Sequence, residues 1–186
     1  MRALLQLAAS LALVACTGVA TGAPEAGSDD LAKPKSLFSL VLVRHAEKTG
    51  DRSDPGLTET GRHRAEFFAD WLEHMNIESI WSSDYQRTRL SALPLAERLG
   101  TEIRIYNARN LQELADTLLA EQENAFVSGH SNTTPELAAL LCKCEVSPME
   151  DSQYERAFRI TFLDGQTGIN EIDLNVLWTN RPDTSD

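Results

Sequence analysis

The stretch Leu37-Phe38-Ser39-Leu40-Val41-Leu42-Val43-Arg44-His45-Ala46-Glu47-Lys48 decides the architecture of this chain. Leu37 to Val43 is a nearly unbroken apolar run rich in β-formers, the pattern of a central parallel strand buried on both faces. Charge begins directly after it. In open α/β sheets ligands collect beyond the carboxyl ends of the strands, so Arg44 and His45 stand where chemistry is expected. Buried there without an anionic partner, both would be costly.

Downstream, strand-like and helix-like patterns alternate with short connections. Thr58-Glu59-Thr60-Gly61 opens a helix expected to run to about Met75, with Ala65, Phe68, Ala69 and Leu72 on one face. Ser79 to Ser82 reads as a short strand, Arg87 to Leu99 as a helix closed by Gly100, and Glu102 to Tyr106 as the next strand. A helix from Asn110 buries Leu111, Leu114, Leu118 and Leu119, and a strand follows over Ala125 to Ser128. Thr134 to Leu141 is helical, with Pro135 where a first turn accepts proline. Tyr154 to Phe162 and Ile169 to Val176 read as two closing strands joined through Asp164-Gly165. This order predicts a three-layer α/β/α sandwich with a mainly parallel central sheet.

Upstream, Arg2 precedes the apolar run Ala3 to Ala15, too short for a permanent membrane span and shaped like a secretion signal. Leu13-Val14-Ala15-Cys16 resembles a bacterial lipobox, whose cysteine is lipidated and becomes the first mature residue; the bland alternative is an ordinary signal peptide with an incidental cysteine. Thr17 to about Ser36 has the Gly, Ala, Pro, Ser and Asp composition of a flexible tether. The expected organisation is a signal peptide over 1–15, a lipidated cysteine and tether over 16–36, and a catalytic domain over 37–186. Such a protein would be exported and face the periplasm from a bacterial membrane. Thr17 in place of Asp after the cysteine favours the outer membrane, by resemblance to enterobacterial sorting.

With 17 basic against 28 acidic residues and a net charge of −11, the chain repels nucleic acid as a bulk partner. An anionic substrate must be captured by a local positive cluster. Cys142-Lys143-Cys144 reads as either a small disulfide ring or two free thiols, and no further ligand stands at zinc spacing.

Three segments follow predicted strands directly: Arg44-His45-Ala46-Glu47-Lys48, Ser82-Ser83-Asp84-Tyr85-Gln86-Arg87-Thr88 and Gly129-His130-Ser131-Asn132. All three should open at one sheet edge, joining two arginines and two histidines in a positive pocket. Guanidinium forks match phosphate oxygens, and imidazole can donate a hydrogen bond or attack phosphorus.

On these motifs the chain resembles the histidine phosphatase superfamily, also called phosphoglycerate-mutase-like, from about Ser39 to Phe162. Val41-Leu42-Val43-Arg44-His45-Ala46 is similar to its Arg-His signature, Ser82-Ser83 with Arg87 to its second phosphate-arginine motif, and Gly129-His130 to its second histidine motif. Leu57-Thr58-Glu59-Thr60-Gly61 resembles its helix start. Ala46, where many members carry Gly, is similar to the small phosphohistidine-phosphatase-like branch.

The resemblance implies a phosphatase with His45 as nucleophile, forming a phosphohistidine, while Arg44, Arg87 and His130 bind the phosphoryl group; no metal or other cofactor is implied. Donors aimed at the equatorial oxygens can supply electrostatic stabilisation. His45 must be neutral at its attacking nitrogen, so its other nitrogen should donate to a backbone carbonyl. Lying directly after a strand, it should project into solvent-accessible space. Asn132 either contacts substrate or caps the next helix.

The acid that protonates the leaving group has no motif, and Glu47, Asp54, Glu113, Glu136 and Asp151 all stand open for it. Glu136 is six residues past His130 and also reads as a solvated first-turn carboxylate. A phosphoramidate or acyl phosphate would need less such help. His63 and His74 read as surface or packing residues, Arg89 as a surface residue, and Trp71, Trp81 and Trp178 as core or sheet-edge aromatics. Expected substrates are phosphorylated small molecules, glycans or proteins, with the membrane as a partner through Cys16. The alternative is a non-catalytic lipoprotein that binds a phosphorylated ligand on the same fold.

Overall fold

The computed structural model describes residues 37–50 and 53–179. The signal, Cys16 and the tether lie outside them. Six strands form one sheet in the order β3-β2-β4-β1-β5-β6. Strands β1 (Leu37–Arg44), β2 (Ser79–Ser83), β3 (Ile103–Tyr106) and β4 (Ala125–Gly129) are parallel. The last two, β5 (Arg156–Leu163) and β6 (Gln166–Asp173), run antiparallel to their neighbours.

Successive side chains of a strand point to opposite faces, and this alternation builds two cores. From β1, Leu40 and Leu42 enter one core with Val127, Phe158 and Ile160, while Val41 and Val43 enter the other with Ile80 and Phe126. Helices α3 (Leu111–Glu121) and α4 (Thr133–Cys142) cover the first face through Leu114, Leu118, Leu137 and Leu141. Helices α1 (Glu59–Leu72) and α2 (Gln86–Leu99) cover the second through Phe68, Leu72 and Leu95. Each such buried side chain contributes about 1.5–3 kcal/mol relative to exposure. The three-layer α/β/α sandwich with a mainly parallel sheet is therefore the observed architecture.

Local signals act where expected. Thr58 caps α1 by accepting from Gly61 N at 3.0 Å, and Gly100 ends α2 with φ of 62°. The C-terminus differs from the sequence expectation. Strand β6 stops at Asp173, and Leu174–Thr179 forms helix α5. Leu174, Leu177 and Trp178 recur at helical spacing and reach the second core, which outweighs the β-propensity of this stretch. Cys142 and Cys144 are joined by a disulfide after α4. Among the described residues no helix is long and apolar enough to cross a membrane.

Candidate active site

Register delivers the first two functional segments to one point. Arg44 lies opposite Gly129 in the parallel β1–β4 pair, and His45 N donates to Gly129 O at 2.9 Å. His45 and His130 therefore leave adjacent strands side by side, their ring centroids 5.6 Å apart and their planes inclined at 69°. On the other flank of β4, β2 brings Ser83, whose Oγ is 2.8 Å from His130 Nε2. In the first turn of α2, Arg87 places Nη2 3.3 Å from His130 Nδ1.

The ring tautomers follow from donor inventory. His45 Nδ1 lies 2.7 Å from the Ala46 carbonyl, which can only accept. Nδ1 therefore carries the proton and Nε2 keeps its lone pair. Arginine can only donate, so His130 Nδ1 is the acceptor from Arg87 and its Nε2–H donates to Ser83. Both rings are neutral. Burial is the main cause that pushes His45 down to about 3, with the Arg44 and Arg87 charges acting in the same direction against the opposing pull of the Ala46 carbonyl. Burial, then Arg87 and Arg44, push His130 down to about 4. Burial likewise lowers Arg44.

Arg44 is 2% exposed. Its Nη1 donates to the Glu150 and Gln153 carbonyls at 3.1 and 3.3 Å, and its guanidinium lies 4.2 Å over the Tyr154 ring. Arg87 covers Tyr85 in the same manner at 4.4 Å. Each histidine also meets a tyrosine, His45 with Tyr154 at 6.1 Å and His130 with Tyr85 at 5.1 Å between centroids. Two arginine–tyrosine pairs thus wall two histidines, and the one carboxylate paired with either guanidinium among the described residues is that of Asp151, 3.6 Å from Arg44 Nη2. Such a pocket can bind a compact dianion and present a neutral imidazole to it.

The segment after His45 is fixed by close packing. Ala46 is wholly buried and donates to Ser91 Oγ at 2.8 Å, while Ser91 donates to the Arg87 carbonyl. Gly61 allows α1 to pack directly on Glu47, since a Cβ there would stand 3.0 Å from both Glu47 N and its carbonyl carbon. Gly129 has the same function behind His130, where a Cβ would meet Thr134 Oγ1 at 2.9 Å and Thr133 Oγ1 at 3.0 Å. Thr133 in turn accepts from His130 N at 2.9 Å.

Arg44, His45, Arg87 and His130 are thus brought together as the sequence suggests. His45 is not in open space, however: it is 3% exposed because Tyr154, His130 and the Ala46 turn close around it. Asn132 occupies the cap position of α4 without a side-chain capping bond, and it is exposed beside the site. Glu47 is turned aside: Arg64 Nε and Nη2 hold both its carboxylate oxygens at 2.7–3.0 Å. Glu136 is exposed in the first turn of α4. His63 and His74 lie on the surface of the α1 region, and Arg89 pairs with Asp84. Sequence reasoning missed Ser91 and Tyr154. Ser91 follows Arg87 by one helical turn and could have been found by that spacing; Tyr154 sits in an irregular loop without a motif.

Residues 40–142 match the histidine phosphatase superfamily (branch 1). Phosphoserine phosphatase 1 of Hydrogenobacter thermophilus is 31% identical over 100 residues, covering 50% of this chain and 43% of that protein. A probable phosphoglycerate mutase GpmB of Photorhabdus laumondii is 36% identical over 74 residues, 36% of this chain and 34% of the relative. The chain thus spans less than half the length of these curated relatives. In fold it is similar to the protein histidine phosphatase SixA solved with tungstate, with a TM-score of 0.62 at 18% identity over 75% of this chain and 99% of the other. A mycobacterial glucosyl-3-phosphoglycerate phosphatase gives the same TM-score of 0.62 at 16% identity, covering 74% and 99%. With the motifs, their geometry and this match over more than half its length, the chain belongs to the histidine phosphatase superfamily, branch 1.

Proposed function

We propose that this protein is a phosphatase that takes the phosphoryl group of its substrate onto His45 Nε2 and then releases it to water. One observation carries the reading: the 2.7 Å contact of His45 Nδ1 with the Ala46 carbonyl, which fixes the tautomer with a lone pair on Nε2 inside a pocket of two arginines and a second histidine. As the phosphoryl group transfers, negative charge spreads over its equatorial oxygens. Arg44 supplies donors there without reorganisation, because Tyr154 and two backbone carbonyls already hold it, and Arg87 adds its own by turning from His130. His130, freed from Arg87 when that guanidinium turns to phosphate, can donate to the same oxygens once protonated.

Relatives named phosphoserine phosphatase and probable phosphoglycerate mutase, and a fold neighbour named a protein histidine phosphatase, make small phosphomonoesters and phosphoramidates the first compounds to assay. The test is hydrolysis of such a panel by the purified domain with and without EDTA. Turnover that survives EDTA and vanishes in His45→Ala is expected. Vanadate binding with no hydrolysis of any compound would instead favour a non-catalytic phosphate-binding protein.

Location is part of the proposal. Leu13-Val14-Ala15-Cys16 supports a lipid anchor at Cys16 that holds the domain at a bacterial membrane on the periplasmic side, in keeping with an acidic protein whose only expected membrane contact is the acyl chains. Mass spectrometry of the native N-terminus tests this directly. Acylated Cys16 is expected, and an unmodified N-terminus at another residue would refute it.

A further inference from the structure

Transfer to His45 leaves an oxygen that needs a proton if it belongs to an alcohol. The carboxylates divide by what they touch. Glu47 is clasped by Arg64, Asp54 accepts from Gln86 N at 2.7 Å at the start of α2, and Glu113 closes a capping pair with Asn110. Asp151 differs from all of these. Its Oδ1 accepts from Ser131 Oγ at 2.7 Å and stands 3.6 Å from Arg44 Nη2. Ser131 is the chain neighbour of His130 and Arg44 that of His45, so one carboxylate is tethered beside both histidines.

Its backbone is fixed while its side chain is open to solvent. Arg44 Nη1 grips the carbonyls of Glu150 and Gln153 on either side of it, yet the Asp151 side chain is 91% exposed. An anchored loop with an open carboxylate at the rim suits contact with a leaving group that enters from solvent. Glu155, the other acidic side chain acting on Arg44, has the weaker influence.

We propose that Asp151 is the general acid of this site, protonating the leaving oxygen as the phosphoryl group moves to His45; this rests on the phosphatase reading above. In the first step the His45 Nε2 lone pair forms the N–P bond, the P–O ester bond breaks, and the Asp151 carboxyl proton passes to the departing oxygen to give the free alcohol. In the second, water attacks phosphorus and gives its proton to the Asp151 carboxylate, and the N–P electrons return to Nε2. Phosphate leaves, with His45 neutral and Asp151 protonated again.

Asp151 is held below the ordinary carboxylate range by the Ser131 hydroxyl first and Arg44 second, with Lys48 adding positive charge. A bound phosphate dianion engages Arg44 and opposes a second negative charge. To act as the acid, Asp151 must therefore take up a proton as substrate binds.

The experiment compares wild type with Asp151→Asn on phosphoserine, whose alkoxide must be protonated, and on 4-nitrophenyl phosphate, whose phenolate departs unaided. Asp151→Asn should lower kcat on phosphoserine roughly a hundredfold and leave 4-nitrophenyl phosphate turnover nearly unchanged. Asp151→Glu should restore part of the loss. Vanadate titrated in buffers of different ionisation enthalpy should show proton uptake in wild type that Asp151→Asn lacks. Equal losses on both esters, or none on phosphoserine, overturn the assignment while the phosphatase reading stands. Tyr154→Phe reproducing the leaving-group dependence in place of Asp151→Asn would overturn it too. A wild-type protein that hydrolyses neither ester removes both.

Discussion

Gly61→Ala isolates the packing that holds the segment after His45. In an ordinary helix this change would stabilise by about 0.5–1 kcal/mol, because alanine loses less backbone entropy. Here the added Cβ would overlap the Glu47 carbonyl oxygen and lie 3.0 Å from Glu47 N and carbonyl carbon, all backbone atoms that cannot swing aside like a side chain. The same carbonyl accepts from Thr58 N at 2.9 Å and Thr58 Oγ1 at 3.3 Å, and Gly61 N donates back to Thr58 Oγ1. Overpacking costs about 1–3 kcal/mol and each weakened hydrogen bond about 1 kcal/mol, so a net loss of roughly 2–4 kcal/mol outweighs the propensity gain.

Any relief moves Glu47, and with it Ala46, whose carbonyl orients His45. Turnover should therefore fall along with stability. Urea unfolding is the assay: with m of about 1–3 kcal/mol/M the midpoint should drop by roughly 1–2 M. Gly168→Ala is the control, because nothing lies within 4 Å of its added Cβ. It should stay within about 0.5 kcal/mol of wild type. Wild-type stability and kcat in Gly61→Ala would refute the reasoning.

Further outcomes follow from the charges. His45 and His130 are held neutral with folded values of about 3 and about 4 against 6.5, so their contribution is intact above 6.5 and is lost as pH falls toward those values, about 3 kcal/mol for His130 when fully expressed. Urea midpoints at about pH 7 and about pH 4.5 should differ less in His45→Asn and His130→Asn than in wild type; an unaltered difference in both would contradict the burial argument. Arg87→Ala should weaken vanadate binding by about 1.5–3 kcal/mol with little loss of stability. Arg44→Ala should weaken both binding and stability, since Arg44 also anchors the Glu150 and Gln153 carbonyls. Unchanged vanadate inhibition in Arg87→Ala would remove that residue from the pocket.

The legible part of this protein is the part governed by periodicity and strand ends. Leu37 to Val43 announces a two-sided strand, and its alternation over two cores follows from the pleat. Arg44 ends β1, and His45 and His130 sit one step past β1 and β4, so their convergence needs only parallel register. Arg87 needed the family pattern, since its helix position alone reads as surface. The wall of the site was not legible. Asp151 stood among five acid candidates with no signal to choose it and Tyr154 was missed: both lie in an irregular loop more than 100 residues from Arg44, whose guanidinium organises it through the carbonyls of Glu150 and Gln153, separated from it by 106 and 109 residues. No local propensity encodes a contact of that kind. The burial of His45 was misjudged for the same reason, because the Tyr154 side chain that helps cover it arrives from this loop. Helix α5 was hidden by β-branched residues whose spacing, not type, proved decisive.

The most direct test of the central claim is to quench the protein during turnover of 4-nitrophenyl phosphate and map the phosphoryl group by mass spectrometry under alkaline conditions. The expected result is phosphate on His45, stable to base, lost in acid and absent from His45→Ala. Turnover that proceeds without a label on His45, or that persists at full rate in His45→Ala, would contradict it.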